Sequence, residues 1–426
     1  MSVTYHETDI AVIGGGAAGF FAAIACVQAN PKAHVTILER NAHVLGKVRI
    51  SGGGRCNVTN ACFDPSGLIT NYPRGAKALL GPLTRFGPRE TVAWFESHGV
   101  ALKTEKDGRM FPITDDSATI VDCLLGAARA TGVNVRVKAD IVRVTKEAST
   151  PAFVLGRGNG DVLTCKRLIL ATGSSAQGWR WAQAFGHTIV PPVPSLFTFE
   201  IRDPRLEGLA GLAVECAQIR LAETGAATPA QRNSASDAVL QQTGPILVTH
   251  WGLSGPAILK LSAWGARFLY ERNYQAELHV NWLPSLQLDV LLERLGEFKH
   301  ERGGQRAGAH SPFQQLPTRL WASLTRSAGI HDEQCWAKLP RSRLVALATQ
   351  LHDGRYYVAG KGQFKEEFVT CGGVDLDEVN FRTLESRLCP GLYFAGEILN
   401  IDGVTGGFNF QAAWTTGWLA GQSVRI

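Results

Sequence analysis

The stretch DIAVIGGGAAG, Asp9–Gly19, together with the acid Glu39 in VTILER, decides the fold of this chain. Ile10 to Ile13 reads as a parallel strand buried on both faces, because apolar residues run together up to a turn signal. Gly14-x-Gly16-x-x-Gly19 is the turn, and FFAAIACVQA is the helix behind it. Each glycine answers a physical demand: a tight turn, close backbone approach to a diphosphate, and close packing of helix on strand. The diphosphate then rests on free N–H groups at the positive end of the helix. Glu39, about twenty residues beyond the last glycine, ends a second strand and can accept hydrogen bonds from ribose hydroxyls. A lone glycine motif is weak. Here strand, turn, helix, strand and acid fall in register, which predicts a dinucleotide site in a doubly wound α/β domain.

The totals bound the rest. A chain of 426 residues suggests two or three domains. With 45% hydrophobic and 19% charged residues it has the composition of a globular protein. The net charge of +6 is modest and no long run of Lys or Arg occurs. No nucleic-acid-binding motif is present, so a small-molecule substrate and no nucleic-acid partner are expected. The apolar run Ile10–Val27 lacks a basic leader and a small-residue cleavage site, and Glu7 and Asp9 precede it. It reads as a phosphate turn and helix, not as a signal peptide or membrane anchor, and no membrane association is expected. Nine cysteines without repeating spacing argue against a secreted disulfide framework, which makes a cytoplasmic location the expectation. No metal site is expected.

Further along, LGKVRISGGGRCNVTN (Leu45–Asn60) is a glycine-rich loop too polar to be core. Arg89–His98 and Thr119–Ala130 read as amphipathic helices. GRGNG (Gly156–Gly160) reads as a hairpin turn, because a β-like run follows it where a second dinucleotide fold would need a helix. RLILATG ends at Thr172-Gly173, where the carboxyl end of a parallel strand meets a ligand. PPVPSL, with three prolines in six residues, reads as a crossing linker. Short β-like runs follow, then a helical stretch over roughly Leu286–Leu351 containing ERGGQRAGAHSP, read as an exposed patch. VTCGGVDL and GLYFAGEILNIDGVTGGFNFQAAW then return to the first domain, with a closing strand Leu392–Ala395 and a long final helix. The predicted division is residues 1–193 and 363–426 for the dinucleotide domain, 194–284 for a β-rich substrate domain and 285–362 for a small helical domain.

Taken together, SGGGRCNVTN, DGRMFP (Asp107–Pro112), GPILVTHWGLSGPAIL (Gly244–Leu259), VTCGGVDL (Val369–Leu376) and the glycine-rich C-terminal string resemble one flavoprotein family. That family is the bacterial BaiN-like, aminoacetone-oxidase-like FAD-dependent oxidoreductases. The strings occur in family order from residue 9 to 417, so the resemblance covers nearly the whole chain. It implies a Rossmann-type FAD domain, glutathione-reductase-like, interrupted by an inserted β-rich domain and a small helical domain. By the same resemblance, the cofactor-binding set extends from Gly14, Gly16, Ala18, Gly19 and Glu39 to Arg40 and Lys47. In the glycine-rich loop it takes in Ser51, Gly52, Gly53, Arg55, Cys56 and Asn57, and on later strands Val142, Thr172 and Gly173. At the C-terminus it adds Gly396, Glu397, Gly403, Gly407, Phe408 and Asn409. Two residues depart from the family pattern: Trp251 stands where Tyr is usual, and Asn400 where Asp is usual.

For a flavin enzyme, which the resemblance implies, a single dinucleotide fingerprint points to FAD as the resident cofactor, with NAD(P)H as a transient co-substrate. The loop Gly403–Gly407 would bring a helix N-terminus to the flavin and stabilise negative charge at N1 and the C2 carbonyl. Cys56 and Cys62 invite a redox-dithiol reading, but their spacing is one residue longer than in flavin disulfide reductases. Cys56 is better read as a packing or flavin-contacting residue. His250, between a strand and a tight turn, is the candidate catalytic proton donor; the alternative is a histidine bonded to backbone. Glu397 can bind the ribityl chain or shape its loop, and Arg109 and Phe111 can cap the flavin pocket or merely build a hairpin. The function this implies is hydride transfer between flavin and a small organic substrate with NAD(P)H as donor. The alternatives are an O₂-dependent amine oxidase and a non-catalytic flavin-binding electron-transfer protein.

Overall fold

The computed structural model describes residues 5–146, 152–223, 240–362 and 369–426. The chain divides into two compact units, Met1–Val193 with Val369–Ile426, and Pro194–Phe368.

In the first unit the described residues form a sheet of nine strands. Tyr5–Ile13 lies at its centre, parallel to both Val35–Leu38 and Val162–Leu170, with Ile10 opposite Val35 and Arg167. Ile10 to Val12 are fully buried and Ile13 is 6% exposed, as a strand covered on both faces requires. Leu392–Phe394 extends the sheet in parallel on one side and Asn134–Arg136 on the other. The carboxyl ends of these strands, at Ile13, Leu38, Leu170 and Phe394, therefore share one edge, where α/β sheets bind ligands. Phe153–Arg157 and Val162–Leu170 pair antiparallel, and GRGNG supplies their turn, with Gly160 at φ +93°.

The fingerprint helix Ala17–Ala29 packs on the final helix Phe408–Ser423. A Cβ at Gly417 would lie 2.5 Å from the Ala18 carbonyl oxygen, and one at Gly421 2.3 Å from that of Ala22. Close approach explains glycines inside a helix, where each costs about 1 kcal/mol relative to alanine. Phe21 joins the two helices to Trp94 and Trp414, at ring separations of 4.5 and 4.7 Å. PPVPSL contains the boundary between the two units, at Val193/Pro194, as a crossing segment should, but it crosses as a strand: Ile189–Ser195 pairs with Val369–Val374. In a two-stranded ribbon the prolines' missing donors need not face a neighbour, so a proline-rich crossing can be extended strand.

In the second unit, seven strands among the described residues form a sheet in the order Gly354–Val358, Ala276–Asn281, Ala213–Ala222, Gln241–Thr249, Gly252–Ser254, Phe199–Glu200, Gly360–Lys361. Helices Leu288–Glu301, Thr318–Ser327 and Arg341–Asp353 share one hydrophobic cluster with this sheet, which includes Trp282, Trp321, Trp336 and Tyr356. The patch ERGGQRAGAHSP is only partly exposed. Ala307 and Gly308 are buried, because Ala307 N donates to Gln334 O (2.9 Å) and Trp336 N to Gln305 O (3.0 Å). Trp321 Nε1 also donates to Ala307 O at 2.8 Å. Low complexity hid a paired segment. Among the described residues no helix is long and apolar enough to cross a membrane.

Candidate functional site

The fingerprint turn shows the three glycine roles separately. Gly14 has φ +114°, and a Cβ there would lie 2.2 Å from Ala171 O. A Cβ on Gly19 would lie 1.9 Å from Gly14 O, so only hydrogen lets the helix sit this close to the strand. Gly16 has no atom within 4 Å of its missing Cβ. That open face is where a diphosphate can approach the backbone. The helix starting at Ala17 has no side-chain cap and no acid in its first turn, so its first N–H groups are left for an anion.

Glu39 is held at this turn. Its Oε2 accepts from Gly15 N (2.8 Å) and its Oε1 from the backbone and side-chain nitrogens of Asn41 (2.8 Å each). The carboxylate keeps lone pairs free for ribose hydroxyls. Arg40 is exposed next to it. Ala139 N donates to Glu39 O (2.8 Å), so the strand Ile141–Lys146 begins nearby. Val142 sits at an irregularity of that strand and is 50% exposed. These features fit the adenosine diphosphate half of FAD. Glu39→Ala is expected to weaken FAD binding by about 1–3 kcal/mol, measured by titrating the apoprotein with FAD.

A second group converges on the same sheet edge. A Cβ on Gly396, at φ +76°, would lie 2.7 Å from the Ala18 Cβ, so the closing strand's loop touches the fingerprint helix. Glu397 accepts from Lys47 Nζ (2.5 Å) through Oε2 and from Thr370 N (3.0 Å) through Oε1. Lys47 also reaches Ser174 Oγ at 3.4 Å, and a Cβ on Gly173 would lie 3.8 Å from Glu397 Oε2. The Thr172 hydroxyl is buried, has no hydrogen-bond partner among the described residues and faces Gly178.

The loop Leu45–Asn60 docks on the fingerprint through Leu45 N, which donates to Gly15 O at 2.8 Å. The helical segment Gly46–Gly54 is broken at Ser51, Gly52 and Gly53, and the two glycines are left-handed at φ +58° and +68°. Ser51 Oγ donates to Val48 O (2.9 Å). Gly52 and Gly53 are exposed. Arg55 is already engaged, by Glu105 (2.7 Å), Asp115 (3.4 Å) and the face of Phe111 (4.0 Å). Arg109 pairs with Glu105 and Asp107, so Arg109 and the buried Phe111 brace this loop.

Cys56 is buried at φ +61°, and burial pushes its thiol up to about 12. A thiol raised in this way is a poor nucleophile at neutral pH. Burial, with Asp64 nearby, also raises Cys62. Cys62→Ser is expected to leave flavin reduction and turnover unchanged; a charge-transfer band on two-electron reduction that disappears in this variant would contradict that.

Asn57 ties this loop to the C-terminal one. In the orientation its neighbours dictate, its side chain accepts from Gly407 N (2.9 Å) and donates to Thr59 O (3.0 Å). Gly407 has φ +92°, and a Cβ there would lie 2.4 Å from Thr59 O. Asn409 holds the loop from inside: its Oδ1 accepts from Gly403 N (2.8 Å) and its Nδ2 donates to Gly403 O (2.9 Å). Its amide thus shapes the turn. Phe408 is buried.

Sequence reasoning missed the brace behind this loop. Tyr72 OH donates to Phe408 O (2.7 Å), Val404 N to Asn71 O (2.9 Å), and Arg74 forms a two-pronged ion pair with the fully buried Asp402. Its partners lie 328 residues apart, so no spacing pointed to it. The available signal was an acid in an otherwise apolar loop, which burial obliges to find a cation.

His250 belongs to the second unit. It is exposed in the turn between Gln241–Thr249 and Gly252–Ser254 and makes no side-chain hydrogen bond among the described residues. Trp251 beside it is 60% exposed. Among the described residues no cluster of His, Cys, Asp or Glu is arranged to hold a metal ion.

The profile of the HI0933-like protein Rossmann domain matches residues 8–423. The chain is 30% identical to the ribosomal RNA dihydrouridine synthase of Escherichia coli over 98% of each chain. It is 29% identical to the 3-dehydro-bile acid delta(4,6)-reductase of Clostridium scindens, over 97% of this chain and 98% of that one. A ribosomal RNA dihydrouridine synthase of Haemophilus influenzae is 27% identical over 97% of each chain. Among solved structures, the 3-ketosteroid-delta4-(5alpha)-dehydrogenase of Rhodococcus jostii has a TM-score of 0.51 at 16% identity, covering 98% of this chain and 96% of that one. That likeness concerns the fold alone. The fingerprint geometry, the second cluster at the sheet edge and these full-length matches lead to one assignment: the chain belongs to the HI0933-like Rossmann family and is an FAD-dependent oxidoreductase.

Proposed function

We propose that this enzyme reduces a carbon–carbon double bond conjugated to a ring carbonyl, with NAD(P)H as donor and a uridine of ribosomal RNA as acceptor. The observation that carries the reading is the chemistry common to the names of the full-length relatives. Dihydrouridine differs from uridine by two hydrogens across a C=C bond conjugated to a carbonyl, and a delta(4,6)-reductase of a 3-oxo steroid performs the same kind of addition. Two of those three names specify ribosomal RNA. The expectation of no nucleic-acid partner rested on the lack of a motif, and the proposal departs from it.

The chemistry supplied by FAD in its reduced form is hydride delivery to the electron-poor carbon of such a bond; a proton completes the adjacent carbon. NAD(P)H provides the electron pair and leaves as NAD(P)⁺, so each turnover adds one hydride and one proton to the acceptor. The chain's own residues bind and orient. Gly16 and Glu39 would hold the adenosine half. The Lys47–Glu397 pair would fix the ribityl region, and the helix beginning at Phe408 would face the pyrimidine side of the flavin. His250 is the proton donor in this reading.

The test is anaerobic mixing of the yellow protein with NADH, NADPH and aminoacetone in turn. Bleaching by a nicotinamide and none by the amine is expected; bleaching by the amine alone would replace the reading with an oxidase. His250→Asn is expected to slow reoxidation by the acceptor by about 10²-fold or more while leaving nicotinamide bleaching intact.

A further inference from the structure

Between residues 294 and 343 the chain carries nine Lys and Arg against four Asp and Glu, so this short stretch holds most of the net charge of +6. Folding concentrates it. Lys299 Nζ donates to Leu339 O (2.7 Å), Ala337 N to Gly303 O (2.9 Å) and Arg343 Nη1 to Ala328 O (3.2 Å). These bonds bring together the ends of helices Leu288–Glu301 and Thr318–Ser327 and the start of Arg341–Asp353. Lys299, Arg302, Lys338, Arg341 and Arg343 meet there. All but Lys299 are exposed, and none pairs with a carboxylate among the described residues. Of the four acids, Glu333 is bound by Arg306 (2.9 Å) and Asp332 by Arg326 (3.7 Å). Glu301 remains beside the cluster and Glu297 one turn behind it.

Cations at the ends of the first two helices suit the helix dipole. Arg341 does not: it occupies the first turn of the third helix, where acids are favoured, and that turn has no acid, whereas the Arg343 guanidinium reaches back to Ala328 O at the end of the second helix. Five like charges gathered at one end of the layer, with Arg341 set against that dipole, carry a local electrostatic cost, which an external polyanion would relieve. No large apolar side chain between residues 294 and 343 is exposed, so the surface lacks the apolar anchors of a membrane-binding face.

We propose that this end of the helical layer docks the phosphodiester backbone of folded RNA, gripping phosphates and leaving base recognition to the reaction site. The proposal rests on the RNA reading of the substrate. Phosphate contacts orient a nucleic acid without reading its sequence, and each contact releases counterions. Five such cations predict that log K falls against log salt with a slope of about −4.

The experiment measures binding of in-vitro-transcribed ribosomal RNA to the FAD-loaded enzyme across about 50–200 mM salt. Wild type is compared with the variant Arg302→Glu/Lys338→Glu/Arg341→Glu. The variant is expected to bind about ten- to a hundredfold more weakly with its salt slope reduced by about 3, while keeping its FAD and its bleaching by NAD(P)H. Arg302→Lys/Arg341→Lys, which preserves charge, should bind like wild type. Equal binding by the Glu variant overturns the docking surface, even if RNA uridines are reduced. Loss of binding in the Glu variant, with no dihydrouridine formed by wild type, supports the surface and overturns the substrate reading. Failure of wild type to bind RNA overturns both.

Discussion

Arg74→Met is expected to destabilise the dinucleotide-binding unit by about 3–5 kcal/mol, the usual consequence of removing one partner from a buried ion pair. Asp402 is fully buried and Arg74 keeps only 17% of its side-chain exposure. The pair anchors the loop that leads to Gly403 and Gly407, so FAD retention should fall along with stability. Urea unfolding and the flavin-to-protein ratio after gel filtration measure the two effects. Arg74→Lys should be intermediate, because an ammonium cannot reproduce the two-pronged geometry of a guanidinium. Unfolding and FAD content equal to wild type in Arg74→Met would remove the brace from the account.

The second large effect separates two glycines of one motif. Gly19→Ala places a methyl where Gly14 O lies 1.9 Å away, and the helix must move off the strand. A cost of about 1–3 kcal/mol is expected from overpacking alone, and the displaced helix start should lose FAD. Gly16→Ala meets nothing within 4 Å, so the apoprotein should fold like wild type and fail only at the diphosphate. Thermal unfolding of both apoproteins, followed by FAD titration, distinguishes a folding glycine from a binding one. Equal apoprotein stability for the two variants would contradict the assigned roles.

The fingerprint unit was legible in the sequence because its determinants are local. The fingerprint lies within one strand–turn–helix unit, its glycines answer backbone sterics, and Glu39 follows at the next strand end. The hairpin at Gly156–Gly160 was legible for the same reason. Long-range pairings were not. Nothing near Asp402 names Arg74, and nothing in CNVTN tells that the Asn57 amide meets Gly407 N. Residues flagged as cofactor contacts also acquire structural duties that only the fold reveals: Arg55 is neutralised by two carboxylates, and Asn409 holds its own loop. Local rules misled where pairing supplied a different context, as for the buried Ala307, and they left the strand within the proline-rich crossing at Ile189–Ser195 unseen.

Reduction of a conjugated double bond with FAD as hydride carrier can be followed by reducing the enzyme anaerobically with NADPH, removing the nucleotide, and adding unmodified, in-vitro-transcribed ribosomal RNA. The yellow colour is expected to return without oxygen, and mass analysis of the nucleosides to find a uridine carrying two additional hydrogens. A flavin that stays bleached until oxygen is admitted, with every uridine unchanged, would contradict it.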